Sequence, residues 1–241
     1  MIRRIIPQTW KLRLKLMRRA WADVQSGARS KFARGAPGQT FSHSIALQQP
    51  MLNATTEQSR VNKVHNIKLA SFSIEAIEIK PGEIFSFWRI AGEPSRKNNF
   101  KKGINIIRGE IVEAYGGGLC QLSSIMYHLS LIAGLTVLER SNHSVDLYHD
   151  KERYTPLGAD CAVFYGYKDF RFRNDYDQPV RFRFQVTDEN LTCHIDSQKV
   201  LPEHAIQFET IHEDAGSVTV ATKNADQTIA QSHYQKAQAP A

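Results

Sequence analysis

Apolar residues along positions 10–24 recur at helical spacing, from Trp10 through Met17 and Trp21 to Val24, with Lys and Arg between them. That spacing predicts a basic amphipathic helix near the N-terminus. The stretch "VNKVHNIKLASFSIEAI" predicts a second helix. A third follows Gly116-Gly117-Gly118, where positions 119, 122, 126, 129 and 133 are apolar and Gly134 supplies a left-handed cap. Beyond this point the period drops to two. Strands are expected in "LTVLER", "HSVDLY", "DCAVFYGY", "DFRFRN", "PVRFRFQVT" and "LTCHI". The alternation is plainest in Phe170-Arg171-Phe172-Arg173 and Val180-Arg181-Phe182-Arg183-Phe184. Earlier, "PGEIFSF" reads as a turn entering a strand and "GEIVEAY" as a strand. "NDYDQP" reads as a turn, and "EDAG" centres a hairpin over residues 205–221. One class accommodates this order: α+β, with a central helix that starts at a glycine-rich loop and packs on a mainly antiparallel sheet.

Between these elements lie polar stretches. "SGARSKFARGAPGQTFSHS" reads as a linker and "PSRKNNFKKGINI" as a loop. The end of the chain, "NADQTIAQSHYQKAQAPA", is poor in apolar mass and reads as flexible. The expected organisation is a basic helix and linker over 1–35, an α+β domain over 36–212 and a flexible tail over 213–241. A composition of 41% hydrophobic and 23% charged residues over 241 positions supplies a substantial core and excludes a largely disordered chain.

Charge is unevenly placed. Residues 1–34 hold ten Lys or Arg against one acid, Asp23; the remainder holds 21 bases against 23 acids. The net +7 therefore belongs to the arm. The body lacks the basic surface that nucleic acid requires, so no nucleic-acid partner is expected. Basic residues interleaved with two Trp suit an anionic membrane surface, contacted through residues 3–24. The alternative is a terminal helix packed on the protein's own core. No run reaches the roughly 18 apolar residues of a membrane span, and Lys and Arg interrupt any secretory signal. Three cysteines without paired spacing argue for a reducing compartment and against a disulfide framework. Together these point to a cytoplasmic protein, peripheral to the inner membrane face if the arm binds lipid.

Cys120 then carries the chemical interest. It falls in the first turn of a helix, where free N–H groups and the helix dipole favour an anion and lower a thiol pKa. His143 follows on what reads as the next strand and could serve as base. Asp160, on the strand after, could orient the imidazole. Backbone N–H groups near Gly118 and Leu119, with Gln121, are candidates for an oxyanion site, with Gly116 and Gly117 shaping the loop. Arg140, Asn142 and Trp88 are candidate supporting residues. Each has a plainer alternative: a small buried cysteine at a tightly packed helix start, a polar strand histidine, a capping aspartate. No cysteine or histidine spacing suits a metal, and "GGGLCQ" lacks the Lys-Ser/Thr of a phosphate loop, so no cofactor is expected.

The motifs "KLASFSIEAIEIKPGEIFSFW", "GGGLCQLSS", "GLTVLERSNHS", "GADCAV" and "DFRFRND" together resemble the VanW family. The resemblance covers about residues 60–195 and implies a link to the cell envelope or to glycopeptide resistance, without supplying a reaction. One departure is visible: Asp160 is followed by Cys-Ala, where the family pattern continues Ala-Thr/Ser. The order of Cys at a helix start, then His, then Asp is also similar in arrangement to papain-like and transglutaminase-like cysteine hydrolases. Three functions follow as expectations. The first is a thiol-dependent hydrolase or acyl/amidotransferase acting on a peptide or cell-wall precursor. The second is a binding module for an envelope ligand, and the third an accessory subunit of a membrane complex.

Overall fold

The computed structural model describes residues 7–36, 38–51, 56–107, 110–146 and 153–236. The fold is α+β. Helix α1 spans Gln8–Gln25, strand β1 His43–Pro50, and helix α2 Glu57–Glu75, capped by the Thr56 side chain on the Ser59 amide. Strands β2 (Glu78–Ile79) and β3 (Ile84–Ser86) lead to the short helix α3 (Phe87–Ala91). A hairpin of β4 (Lys102–Ile107) and β5 (Glu110–Tyr115) precedes helix α4 (Leu119–Ile132). Strands follow: β6 (Thr136–Glu139), β7 (Val145–Asp146), β8 (Arg171–Arg173), β9 (Val180–Val186) and β10 (Asn190–Ser197). The chain ends in β11 (Ile206–Glu213), β12 (Ser217–Asn224) and β13 (Gln227–Lys236).

The Phe-Arg alternation does what period two requires. Phe172, Phe182 and Phe184 turn inward, while Arg171, Arg181 and Arg183 stay half-buried on the other face. Phe85 stacks on Phe172 with ring centroids 5.0 Å apart, and Phe170 and Phe182 close the cluster. Antiparallel sheets carry these residues, one ordered β1-β10-β9-β2 and another β3-β8-β6. Helix α4 is buried over most of its circumference, from Leu119 through Leu131. Its C-terminus is closed by Gly134 at φ +67°, the left-handed cap that its sequence implies.

Several expectations need correction. Residues 160–167, read as a strand, form an irregular segment, and His143 sits in the loop between β6 and β7. Strand β1 lies partly in the stretch read as a linker. Strand β4 lies in the stretch read as a polar loop. The stretch read as a flexible tail holds β12 and β13, which form an antiparallel pair from Ser217↔Gln235 to Asn224↔Gln227. Tyr234 is buried there with Val218 and Val220. The reason is physical: a hairpin can form its backbone ladder with polar outward residues if a few inward positions find a covering surface. In "QTIAQSHYQK" only Ser232 and Tyr234 are buried, too few for a periodic signal.

Candidate active site

Two glycines of the loop before α4 adopt left-handed angles, Gly116 at φ +87° and Gly118, the helix N-cap, at φ +96°. Gly117 serves a different need. A Cβ there would lie 2.7 Å from the Cα of Gly103 and 2.8 Å from its carbonyl carbon, so β4 can approach only glycine. The buried Asn66 of α2 clamps this arrangement. Its amide donates to the carbonyls of Gly117 and Lys101, each at 3.0 Å, and its oxygen accepts from the Lys101 amide at 2.7 Å.

Cys120 is therefore presented, part-buried, from a rigid loop into the first turn of α4. Leu119 donates its N–H to Gly116 at 3.3 Å, and Gln121 and Leu122 donate theirs to Gly118 at 3.0 and 3.3 Å. The Cys120 N–H is left without an acceptor among the described residues. Gln121 does not point into the site, because its side-chain amide donates to the Pro50 carbonyl at 2.8 Å. The sulfur of Cys120 lies 3.7 Å from the carbonyl oxygen of Val163.

Two further segments close on the cysteine. Ser123 donates its hydroxyl to the Cys161 carbonyl at 2.6 Å, and Ser124 accepts from the Cys161 amide at 2.8 Å. These bonds fasten the irregular 160–163 segment to the helix bearing Cys120. The Ala162 amide donates to the Ser141 carbonyl at 2.7 Å, which ties in the 140–144 loop. The departure at Cys161-Ala162 thus falls where backbone atoms make the contacts and where a small side chain fits.

His143 and Asp160 meet across this junction. The imidazole Nδ1 is 2.6 Å from Asp160 Oδ2, and the His143 backbone amide donates to the same oxygen at 2.7 Å. Nδ1 being engaged, Nε2 is the nitrogen left for the Cys120 thiol, whose titration is coupled to that of the ring. The other carboxylate oxygen, Oδ1, accepts from Arg140 at 2.9 Å and from the phenol of Tyr234 at 2.5 Å. Arg140 also donates to the carbonyls of Asp160 and Gly158 and to the Ser232 hydroxyl. Every lone pair of the buried carboxylate that can be reached is used, as a buried charge requires.

The electrostatics follow. Burial would raise the Cys120 pKa, but the hydrogen bond and positive charge of His143, aided by the Val163 backbone, bring it below the ordinary 9.0. Burial would lower the His143 pKa. The hydrogen bonds to Asp160 and Cys120 and their charges instead raise it from 6.5 to about 10. Burial likewise opposes ionisation of Asp160, yet His143 and Arg140 hold its pKa below the usual 3.8. The shifts act together: each group of the row favours the charged form of its neighbour, thiolate beside imidazolium and imidazolium beside carboxylate. Cys161 is fully buried, which pushes its thiol far above the ordinary range, and Cys193 behaves alike. All three cysteines are free.

The remaining candidates stand further out. Asn142 donates to the carbonyls of His143 and His233, each at 2.7 Å, and so couples the loop to β13. Trp88 donates its indole N–H to the Lys168 carbonyl at 2.8 Å and packs edge-on against Tyr165, steadying the segment downstream of Val163. Tyr234, Ser232, Ser124 and the Val163 carbonyl were not legible as site groups in the sequence. Only the two serines of "CQLSS", placed on the buried side of an otherwise apolar helix, offered a signal. Among the described residues no group of three His, Cys, Asp or Glu side chains could hold a metal ion.

The protein-family model described as "VanW like protein" matches residues 62–195, more than half of the chain. The chain belongs to the VanW family. The match includes Cys120, His143 and Asp160 and stops short of Tyr234 and Ser232. Two curated relatives are similar over this region. The Vancomycin B-type resistance protein VanW of Enterococcus faecalis (strain ATCC 700802 / V583) is 32% identical over 138 residues, 57% of this chain and 50% of that protein. The Uncharacterized protein YoaR of Bacillus subtilis (strain 168) is 36% identical over 125 residues, 52% of this chain and 40% of that protein. The chain thus spans half or less of the length of these VanW relatives. No solved structure matches it.

Proposed function

We propose that this VanW-family chain is a thiol-dependent hydrolase or acyl/amidotransferase acting on a peptide or cell-wall precursor. The observation that carries this reading is the line from Cys120 through His143 to Asp160 at the N-terminus of α4, in which the thiol pKa is lowered and the imidazole pKa raised by their mutual interaction. The envelope substrate class is supported by the name of the enterococcal relative, a vancomycin B-type resistance protein.

In the proposed step the Cys120 thiolate attacks a carbonyl carbon, forming the C–S bond. The oxyanion is met by the Cys120 N–H at the positive end of the helix. The C–N bond then breaks as His143 Nε2 delivers its proton to the leaving amine. Water or an acceptor amine then attacks the thioester carbon and gives a proton back to His143, and the C–S bond breaks, releasing the acyl product and restoring the Cys120 thiolate. Asp160 keeps the imidazolium oriented throughout.

The test uses an activated ester, p-nitrophenyl acetate, with the full chain. A stoichiometric burst of nitrophenolate and an acyl group on Cys120, found by mass spectrometry, are expected. The burst is lost in Cys120→Ala and slowed at least about a hundredfold in His143→Ala, within the range of general acid–base contributions. Iodoacetamide should label Cys120 of the wild type at pH values well below the ordinary thiol range and leave Cys161 and Cys193 untouched. Acylation spread over surface groups, or labelling of Cys120 that is indifferent to His143, would sink the proposal.

A further inference from the structure

Helix α1 docks on the body through one face and leaves the opposite face uncovered. Leu12 and Leu16 pack over Gly166. Arg19 bonds Glu139 at 2.7 Å, and the buried Asp23 pairs with Arg171 at 2.6 Å. At 100° per residue these four side chains share one side of the helix. On the other side Trp10, Leu14, Met17, Trp21 and Val24 form a stripe at intervals of four and three residues. Trp10 is 59% exposed, Met17 68% and Trp21 64%, so the apolar face that the sequence pattern marks is not the face that packs on the protein. Exposed large apolar side chains set in a row mark a docking surface.

The charges around the stripe select the occupant. At the same 100° step Lys11, Lys15 and Arg18 fall along one border, with the Lys15 ammonium 5.8 Å from the centre of the Tyr167 ring, and Arg13 along the other. The sole acid of α1, Asp23, is turned inward and paired. Two copies of this helix laid face to face would bring basic borders together with no acid to answer them. A sheet of anionic headgroups above an acyl layer answers both the borders and the stripe: lysines and arginines meet phosphates, while the two indoles sit at the interface. No helix among the described residues is long and apolar enough to cross a membrane, so such attachment would be peripheral. From this geometry we infer that α1 is a peripheral anchor that lays its Trp10–Val24 stripe on an anionic lipid surface while Leu12, Leu16, Arg19 and Asp23 hold the body to it.

The experiment is co-sedimentation of the full chain with phosphatidylglycerol-containing vesicles and with pure phosphatidylcholine vesicles. Binding to the first alone is expected, with a blue shift of tryptophan emission. It should weaken about tenfold or more in the Trp10→Ser, Met17→Ser, Trp21→Ser triple variant, which removes only exposed side chains and should keep the wild-type melting temperature. Replacing Lys11, Lys15 and Arg18 by Gln should also release the chain. So should about 1 M salt, where the screening length contracts to about 3 Å. A wild-type chain that ignores phosphatidylglycerol vesicles overturns the inference. So does one whose sedimentation velocity shows a dimer that the triple variant dissolves, because the stripe would then be covered by a second copy.

Discussion

Tyr234 donates its phenol hydroxyl to the carboxylate of Asp160, from a strand 74 residues further along the chain. The same oxygen accepts the backbone amide of Gly158 at 2.8 Å, so one buried hydroxyl holds both the carboxylate and the turn before it. The C-terminal hairpin, outside the region shared with the family, thus completes the surroundings of a residue inside it.

Tyr234→Phe removes that hydroxyl and leaves a buried carboxylate and a buried amide short of a partner. Hydrogen bonds to charged groups are worth about 1.5–3 kcal/mol, and the loss should fall in that range. Urea denaturation measures it. A variant as stable as the wild type would mean that β13 does not close on Asp160 in solution.

The thiolate–imidazolium pair makes a specific prediction for stability against pH. As pH rises, the raised His143 loses its share of the stability between about 6.5 and 10, while Cys120, its pKa lowered from 9.0, gains its own up to about 9, so the two slopes offset where both groups titrate. On the acid side the His143 share is fully present below about 6.5, and the Cys120 share is lost as pH falls through the lowered pKa of the folded thiol. Above about 9 the unfolded thiol loses its proton while His143 keeps its own up to about 10; the stabilisation is lost as pH rises. In Cys120→Ser only a raised histidine remains, and stability relative to the wild type should decline from about pH 6.5 upward. Urea midpoints of the two proteins across this range provide the comparison. Parallel curves would show that Cys120 and His143 do not share a proton as described.

Gly117→Ala and Gly38→Ala separate close approach from mere flexibility. At Gly117 the new Cβ meets the Gly103 backbone at 2.7 Å, which cannot move aside as a side-chain tip would. A cost of about 1–3 kcal/mol is expected, with slower alkylation of Cys120 as the loop shifts. At Gly38 nothing lies within 4 Å, and the change should stay within about 0.5 kcal/mol. Equal melting temperatures for the two variants would show that the loop does not press on β4.

Local pattern was enough for the elements that own their hydrophobic period. The α4 stripe with its Gly134 cap and the Phe-Arg strands β8 and β9 were readable because each buries a face whose spacing is set by backbone geometry alone, and α1 was readable because its apolar stripe, though left exposed, follows the same helical spacing. The cysteine at a helix start was readable for the same reason, since the first turn of any helix presents unpaired N–H groups. What the chain could not disclose locally is everything that depends on two segments meeting. His143 and Asp160 lie in irregular segments with no period, and bonds from Ser123, Ser124 and Ser141 bring them to Cys120. Gly117 is glycine because β4 passes against it, although its neighbours Gly116 and Gly118 are glycine for their angles. Strand β13 is ordered by pairing with β12 and by burying Tyr234, which no count of its own apolar residues reveals. Likewise the pattern marks the apolar face of α1, while only the packing of Leu12 and Leu16 over Gly166 decides that this face remains outside. Periodicity is a property of one segment; contact order, burial and shared protons are properties of several, and these are settled only when the chain has folded.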